Sequence, residues 1–115
     1  MKFDKGLISG STVLLLLSLL EKGEKYGYEM IKELEVRSDK TFEMKEGTIY
    51  PILHALENDG AVEVEEKTAP SGRKRKYYRI TRRGLRLLDT KREEWEAFSK
   101  GVNQVIGKGM QPAGE

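Results

Sequence analysis

Apolar residues crowd one stretch of the chain and are spaced at regular intervals elsewhere, and that pattern predicts most of its elements. The run TVLLLLSLLEK (12–22) is apolar on nearly every side, as in a helix buried on more than one face. Ser11 is its expected N-cap and Gly23 its stop. So small a domain covers one side of such a helix, and the second cover is expected to be another subunit. A second helix is predicted over 26–37, where Met30, Ile31 and Leu34 keep core spacing between charges. The stretch 38–45 alternates loosely, with Phe42 and Met44 on one side, and is read as a short third strand. In the third helix, Ile49, Ile52, Leu53 and Leu56 form a clean inward face, and Gly60 stands where a C′ glycine belongs. Pro51 lies inside it, removing one hydrogen bond and crowding the carbonyl of Gly47, so a slight bend is expected and not a break.

Period two then replaces period 3.6. Val62 and Val64 alternate with glutamates, and Tyr78 and Ile80 with arginine. This gives two half-exposed strands around a Pro70–Ser71–Gly72 turn. Thr81 is a natural cap for a long last helix, 82 to about 106. Its Leu85, Leu88, Trp95, Phe98, Val102 and Val105 recur at a spacing near 3.5, as in a packed helix pair, with Arg92 interrupting the stripe. Residues 108–115 carry breakers and no periodicity and are expected to fray.

At 115 residues the chain has room for one core. A net charge of +2 says little about partners, but its distribution says more. Ten of the 21 basic residues fall within positions 73–92, while 57–66 is acidic at half its positions and has no basic residue. One surface is thereby made attractive to phosphate without making the whole molecule so. Cysteine is absent, which excludes disulfides and thiolate metal sites. The most apolar run, Val13–Leu20, falls short of the roughly 20 residues of a membrane span, and it is not flanked like a signal peptide. A cytoplasmic location is the default. His54, the single histidine, has no second imidazole or thiolate with which to hold a metal. Neither a glycine-rich phosphate loop nor a nucleophile elbow occurs, so no enzyme activity, cofactor or metal is expected.

The junction of the third helix with the hairpin carries the chemistry. A compact helix followed by a two-stranded ribbon with a basic end is what a winged helix presents to DNA. The helix has Lys45, Thr48, Tyr50 and His54 on its outward side, groups that reach phosphates or base edges. The ribbon adds Arg73, Lys74, Arg75 and Lys76. Charged hairpin ends also serve to keep sheet edges from aggregating; the order of helix and ribbon favours the nucleic-acid reading. Lys45 stands at the expected N-cap, where a cation opposes the helix dipole. Trp95 on the apolar stripe has two readings: core or dimer packing, the commoner role, or the aromatic wall of a ligand cavity.

Three blocks, YGYEMIKEL (26–34), EGTIYPILHALENDG (46–60) and SGRKRKYYRITRRG (71–84), resemble the PadR family of bacterial transcriptional regulators, and the likeness spans about 7–106. It implies a mainly α (α+β) winged helix-turn-helix over 7–81 and a dimerisation helix over 82–107 that packs on the partner's first helix. It also implies a homodimer, most readily a repressor, on a pseudo-palindromic operator. Dimer contacts are expected from Leu17, Leu85, Leu88, Phe98, Val102 and Val105. The short C-terminal arm resembles a smaller subfamily that includes a multidrug-binding repressor, in which a tryptophan pair stacks planar ligands at the dimer centre. Trp95 aligns with that tryptophan, and Leu14, Ser18, Leu88 and Ser99 with its neighbours. Ser99 replaces an acidic residue there, and Lys45 stands where the family usually has a small polar cap. The competing readings are a winged helix that binds proteins and a module that sequesters ligands without DNA.

Overall fold

The computed structural model describes residues 2–107. In chain order the elements are α1 (Lys5–Leu20), β1 (Lys25–Tyr26), α2 (Gly27–Arg37), α3 (Glu46–Asn58), β2 (Val62–Thr68), β3 (Lys74–Ile80) and α4 (Arg82–Ile106). The strands form one antiparallel sheet in the order β1-β3-β2. This is a winged helix with a long C-terminal helix, and none of the described helices is long and apolar enough to cross a membrane. The expected fraying at 108–115 lies outside the described residues.

Leu16, Leu17 and Leu20 of α1, Met30 of α2, Ile49 and Leu53 of α3, Val62 of β2 and Leu88 of α4 are sealed from solvent together. α1 runs through the middle of the fold, which is why its apolar residues are spread around the helix. It starts earlier than expected, at Lys5. Ser11 is not its N-cap: its hydroxyl donates back to the carbonyls of Leu7 and Ile8 inside the helix. Ile8 packs on the core and Thr12 is buried a turn later, so tertiary contact carries the helix through a Gly/Ser-rich stretch of low propensity.

The third strand is not at 38–45. Asp39 and Lys40 have φ of 53° and 66°, left-handed values that a strand cannot accommodate. There the chain closes the end of α2, with the Lys40 amide on the Glu35 carbonyl at 2.7 Å and the Phe42 amide on the Ser38 hydroxyl at 3.0 Å. The strand that completes the sheet is β1, pairing Lys25 with Tyr78 and Tyr26 with Tyr77. Two residues are too few to show an alternation. α3 runs unbroken through Pro51, and Gly47, whose carbonyl loses its donor, is exposed to solvent.

The start of α4 is fixed on the end of α3. Thr81 accepts the Gly84 amide at 3.1 Å, its hydroxyl donates to the Gly60 carbonyl at 2.6 Å, and its amide donates to the Ala61 carbonyl at 3.0 Å. A Cβ on Gly84 would come within 2.1 Å of the Ala61 carbonyl oxygen. That oxygen is backbone and cannot swing aside. Gly84→Ala is therefore expected to cost about 1–3 kcal/mol of stability, read as a lower melting temperature, by the usual penalty of overpacking. Further along, Arg92 leaves the apolar stripe to pair with Glu21 at 2.8 Å, and the guanidinium holds that carboxyl below its ordinary range.

Candidate nucleic-acid interface

α3 turns Ile49, Leu53 and Leu56 into the core, which leaves Lys45, Thr48 and His54 exposed on the far side. Lys45 is at the N-cap and makes no side-chain cap bond. Tyr50 is placed differently. It is half-buried with its hydroxyl against Gly27, where a Cβ would come within 2.1 Å of it. Burial raises its phenol above the ordinary value, and the nearby Glu46 carboxylate adds to the shift. Glycine at 27 is thus what lets the tyrosine lie across the start of α2.

The wing extends well beyond β1. β2 and β3 stay in register from Val62↔Ile80 to Thr68↔Lys74, whereas β1 covers only Tyr77 and Tyr78. Gly72, at φ 88°, turns the hairpin, closed by the Ala69 amide on the Arg73 carbonyl at 2.7 Å. By strand alternation Lys74 and Lys76 share a face with the buried Tyr78, while Arg75 shares one with Tyr77 and Arg79. Arg73 lies in the turn.

Between the wing, the start of α2 and the start of α3 is a cleft lined by Tyr26, Tyr28, Glu46, Tyr50 and residues 73–76. Among the described residues, Arg73, Lys74, Arg75, Lys76 and Lys45 have no carboxylate within ion-pairing distance. Neighbouring cations are neutralised: Arg79 pairs with Glu63, Lys67 with Glu24 and Lys25 with Glu33. Five cations at the wing and the start of α3 are therefore open to a polyanion. Two aromatic residues of this cleft, Tyr26 and Tyr28, were not singled out as site residues from sequence. Their one signal was the Tyr-Gly-Tyr at 26–28, which a two-residue strand and a helix start divide between them.

A second concavity, of about 660 Å³, lies between α1 and α4, lined by Gly6, Leu7, Gly10, Ser11, Leu14, Lys91, Glu94, Trp95, Ala97 and Phe98. Of the residues expected around a ligand, the structure brings Trp95 and Leu14 together here. It does not bring Ser18, Leu88 or Ser99. Leu88 is wholly buried in the core, Ser18 is absent from the lining, and Ser99 lies along a different surface with Glu93 and Lys100. Of the expected dimer residues, Leu17 and Leu88 are sealed inside the chain's own core and offer no surface to a partner. Leu85, Phe98, Val102 and Val105 are exposed.

The layout defines a winged helix-turn-helix protein with a basic wing. The model of the Transcriptional regulator PadR-like family matches residues 16–90. A transcriptional regulator from Clostridium thermocellum shares 34% identity with a TM-score of 0.81, over 87% of this chain and 97% of that one. A PadR-like regulator from Bacillus cereus shares 30% identity with a TM-score of 0.76, over 91% and 100%. The Mycobacterium tuberculosis transcriptional regulator Rv3488 is 34% identical over 91 residues, 79% of this chain and 78% of that one. The chain belongs to the PadR-like family of transcriptional regulators.

Proposed function

We propose that this regulator is a homodimeric repressor that grips operator DNA with α3 and the wing. The observation that carries the reading is the row of unpaired cations, Arg73 to Lys76, beside the exposed Lys45, Thr48 and His54 of α3. Unpaired cations release counterions from DNA at no cost in broken ion pairs. Phosphate contacts fall to Arg73, Lys74, Lys76 and Lys45, and sequence choice to Thr48, His54 and the edge of Tyr50. The apolar face of α1 and α4 supplies the dimer contact through Leu85, Phe98, Val102 and Val105. A two-fold dimer places half-sites about one helical turn apart, or a multiple of that. Footprinting on the promoter upstream of its own gene tests this: two protected half-sites at that spacing are expected. A winged helix that serves protein contacts alone would protect none.

The groove beside Trp95 supports release by a planar aromatic compound. Trp95 is 48% exposed in the single chain, so it is not a core residue of the protomer. It stands over an apolar lining with Leu7, Leu14 and Phe98. A planar dye such as Hoechst is expected to quench the single tryptophan. Trp95→Ala should weaken that binding roughly ten- to a hundredfold, since stacking on an aromatic ring is worth about 1–3 kcal/mol. The melting temperature should change little. Absence of quenching at saturating dye would leave Trp95 as a dimer-packing residue.

A further inference from the structure

Beyond β1 the wing is a two-stranded ribbon, a structure that is marginal unless braced. Its bracing runs along one face of the sheet. Glu24 pairs with Lys67, whose ammonium sits 5.3 Å from the centroid of the Tyr77 ring. Tyr77 meets Tyr26 edge to face, with centroids 5.4 Å apart and planes at 74°. The Arg75 guanidinium lies over the other part of this pair, 4.3 Å from the Tyr26 centroid. Tyr26 is also the N-cap of α2, and its amide is held by Glu29 at 3.0 Å. The ring under Arg75 is therefore anchored to the helix whose first residue, Gly27, receives Tyr50 of α3. Arg75 is less exposed than Arg73, Lys74 and Lys76.

We propose that Arg75 and Tyr26 are positioning residues, which clamp the wing at a fixed angle to α2 and α3, and that Arg75 does not contact a phosphate. The proposal rests on the DNA-binding reading and divides the wing cations by role. Arg73, Lys74 and Lys76 meet the backbone. Arg75 satisfies its charge on the tyrosine ring and removes freedom from the ribbon before DNA arrives, so that less ordering is left to binding. The two roles differ in salt dependence. Loss of a phosphate contact makes the log–log plot of affinity against salt shallower by about 0.9 in each half-site, whereas loss of a brace lowers affinity without changing that slope.

The test is a titration of a labelled promoter fragment, followed by anisotropy at several salt concentrations. Arg75→Met keeps the aliphatic stem and removes the cation; Tyr26→Leu removes the ring. Each is expected to weaken binding about two- to fivefold per half-site, the scale of an exposed cation–π contact, with the slope of the wild type. Together they should be no worse than the weaker single variant, because both break one contact. Tyr26→Phe keeps the ring and should bind as the wild type does, which loss of fold at the α2 cap would not explain. Arg73→Ala is the comparison, and its slope should fall. The proposal is overturned if Arg75→Met lowers the slope as Arg73→Ala does, or if its loss adds fully to that of Tyr26→Leu. A wild type that does not bind the fragment at all would be a different failure, of the DNA-binding reading itself, and would remove the proposal with it.

Discussion

Phe98→Glu should convert the protein to a folded monomer. In the single chain Phe98 is 64% exposed and Val105 87%, with Leu85, Trp95, Val102 and Ile106 exposed near them on α4. Soluble monomers rarely leave so many large apolar side chains of one helix open to water. Because Phe98 touches little of its own chain, a carboxylate there leaves the protomer core intact. Across a two-fold interface it would be buried twice. Two unpaired carboxylates at about 2–3 kcal/mol each raise the dimer dissociation constant at least about a thousandfold. Sedimentation equilibrium at micromolar concentration, with a thermal melt beside it, reads both parts. A cooperative melt with a monomeric mass is expected. A wild type already monomeric under those conditions would contradict the dimer. Leu88 is a poorer probe, since it is buried in the core and a charge there would unfold the protomer.

The second large effect is expected from removing the phosphate-facing cations together. Arg73, Lys74 and Lys76 pair with no carboxylate among the described residues, so alanine at all three orphans nothing and should leave the melting temperature near that of the wild type. With three contacts in each of two half-sites, the salt dependence of operator binding should become shallower by about five log units per log unit of salt. Affinity near physiological salt should fall at least about a hundredfold, and by similar factors on specific and non-specific DNA, because phosphates carry no sequence information. Thr48→Ala should do the reverse, with a smaller loss confined to the specific site. Full affinity and an unchanged slope in the triple variant would mean that the wing is not at the DNA.

The long elements were legible because each carries enough periods to announce itself. The 3.6-residue spacing of Ile49, Leu53 and Leu56 and the alternation of Val62 with Val64 are packing patterns, and both elements formed as read. Thr81 and Gly60 were legible for a different reason: the cap and the αL turn need those residue types. The misreadings have local causes. Ser11 carried a cap signal that was overridden by Ile8 packing on the core, a tertiary contact with no local trace. The alternation at 38–45 was an accident of Phe42 and Met44 closing over the core from a turn.

The site was legible in its charges and less so in its geometry. That residues 73–76 form a basic wing could be read from composition alone. That Arg75 lies on Tyr26, while Lys74 and Lys76 stay open, depends on the register of a two-residue strand. Helical spacing likewise placed Leu88 and Trp95 on one stripe. Burial separates them: Leu88 is sealed in the core, whereas Trp95 and Phe98 border an open groove against the first half of α1.

DNA recognition by α3 and the wing is tested most directly by a salt-resolved titration of the wild-type protein on a promoter fragment and on a scrambled fragment of equal length. One dimer per promoter fragment is expected, with a steep fall of affinity with salt on both fragments and binding to the promoter tighter by about a thousandfold or more, the least expected of a specific regulator. Equal affinity for the two fragments, or binding that ignores salt, would contradict such recognition.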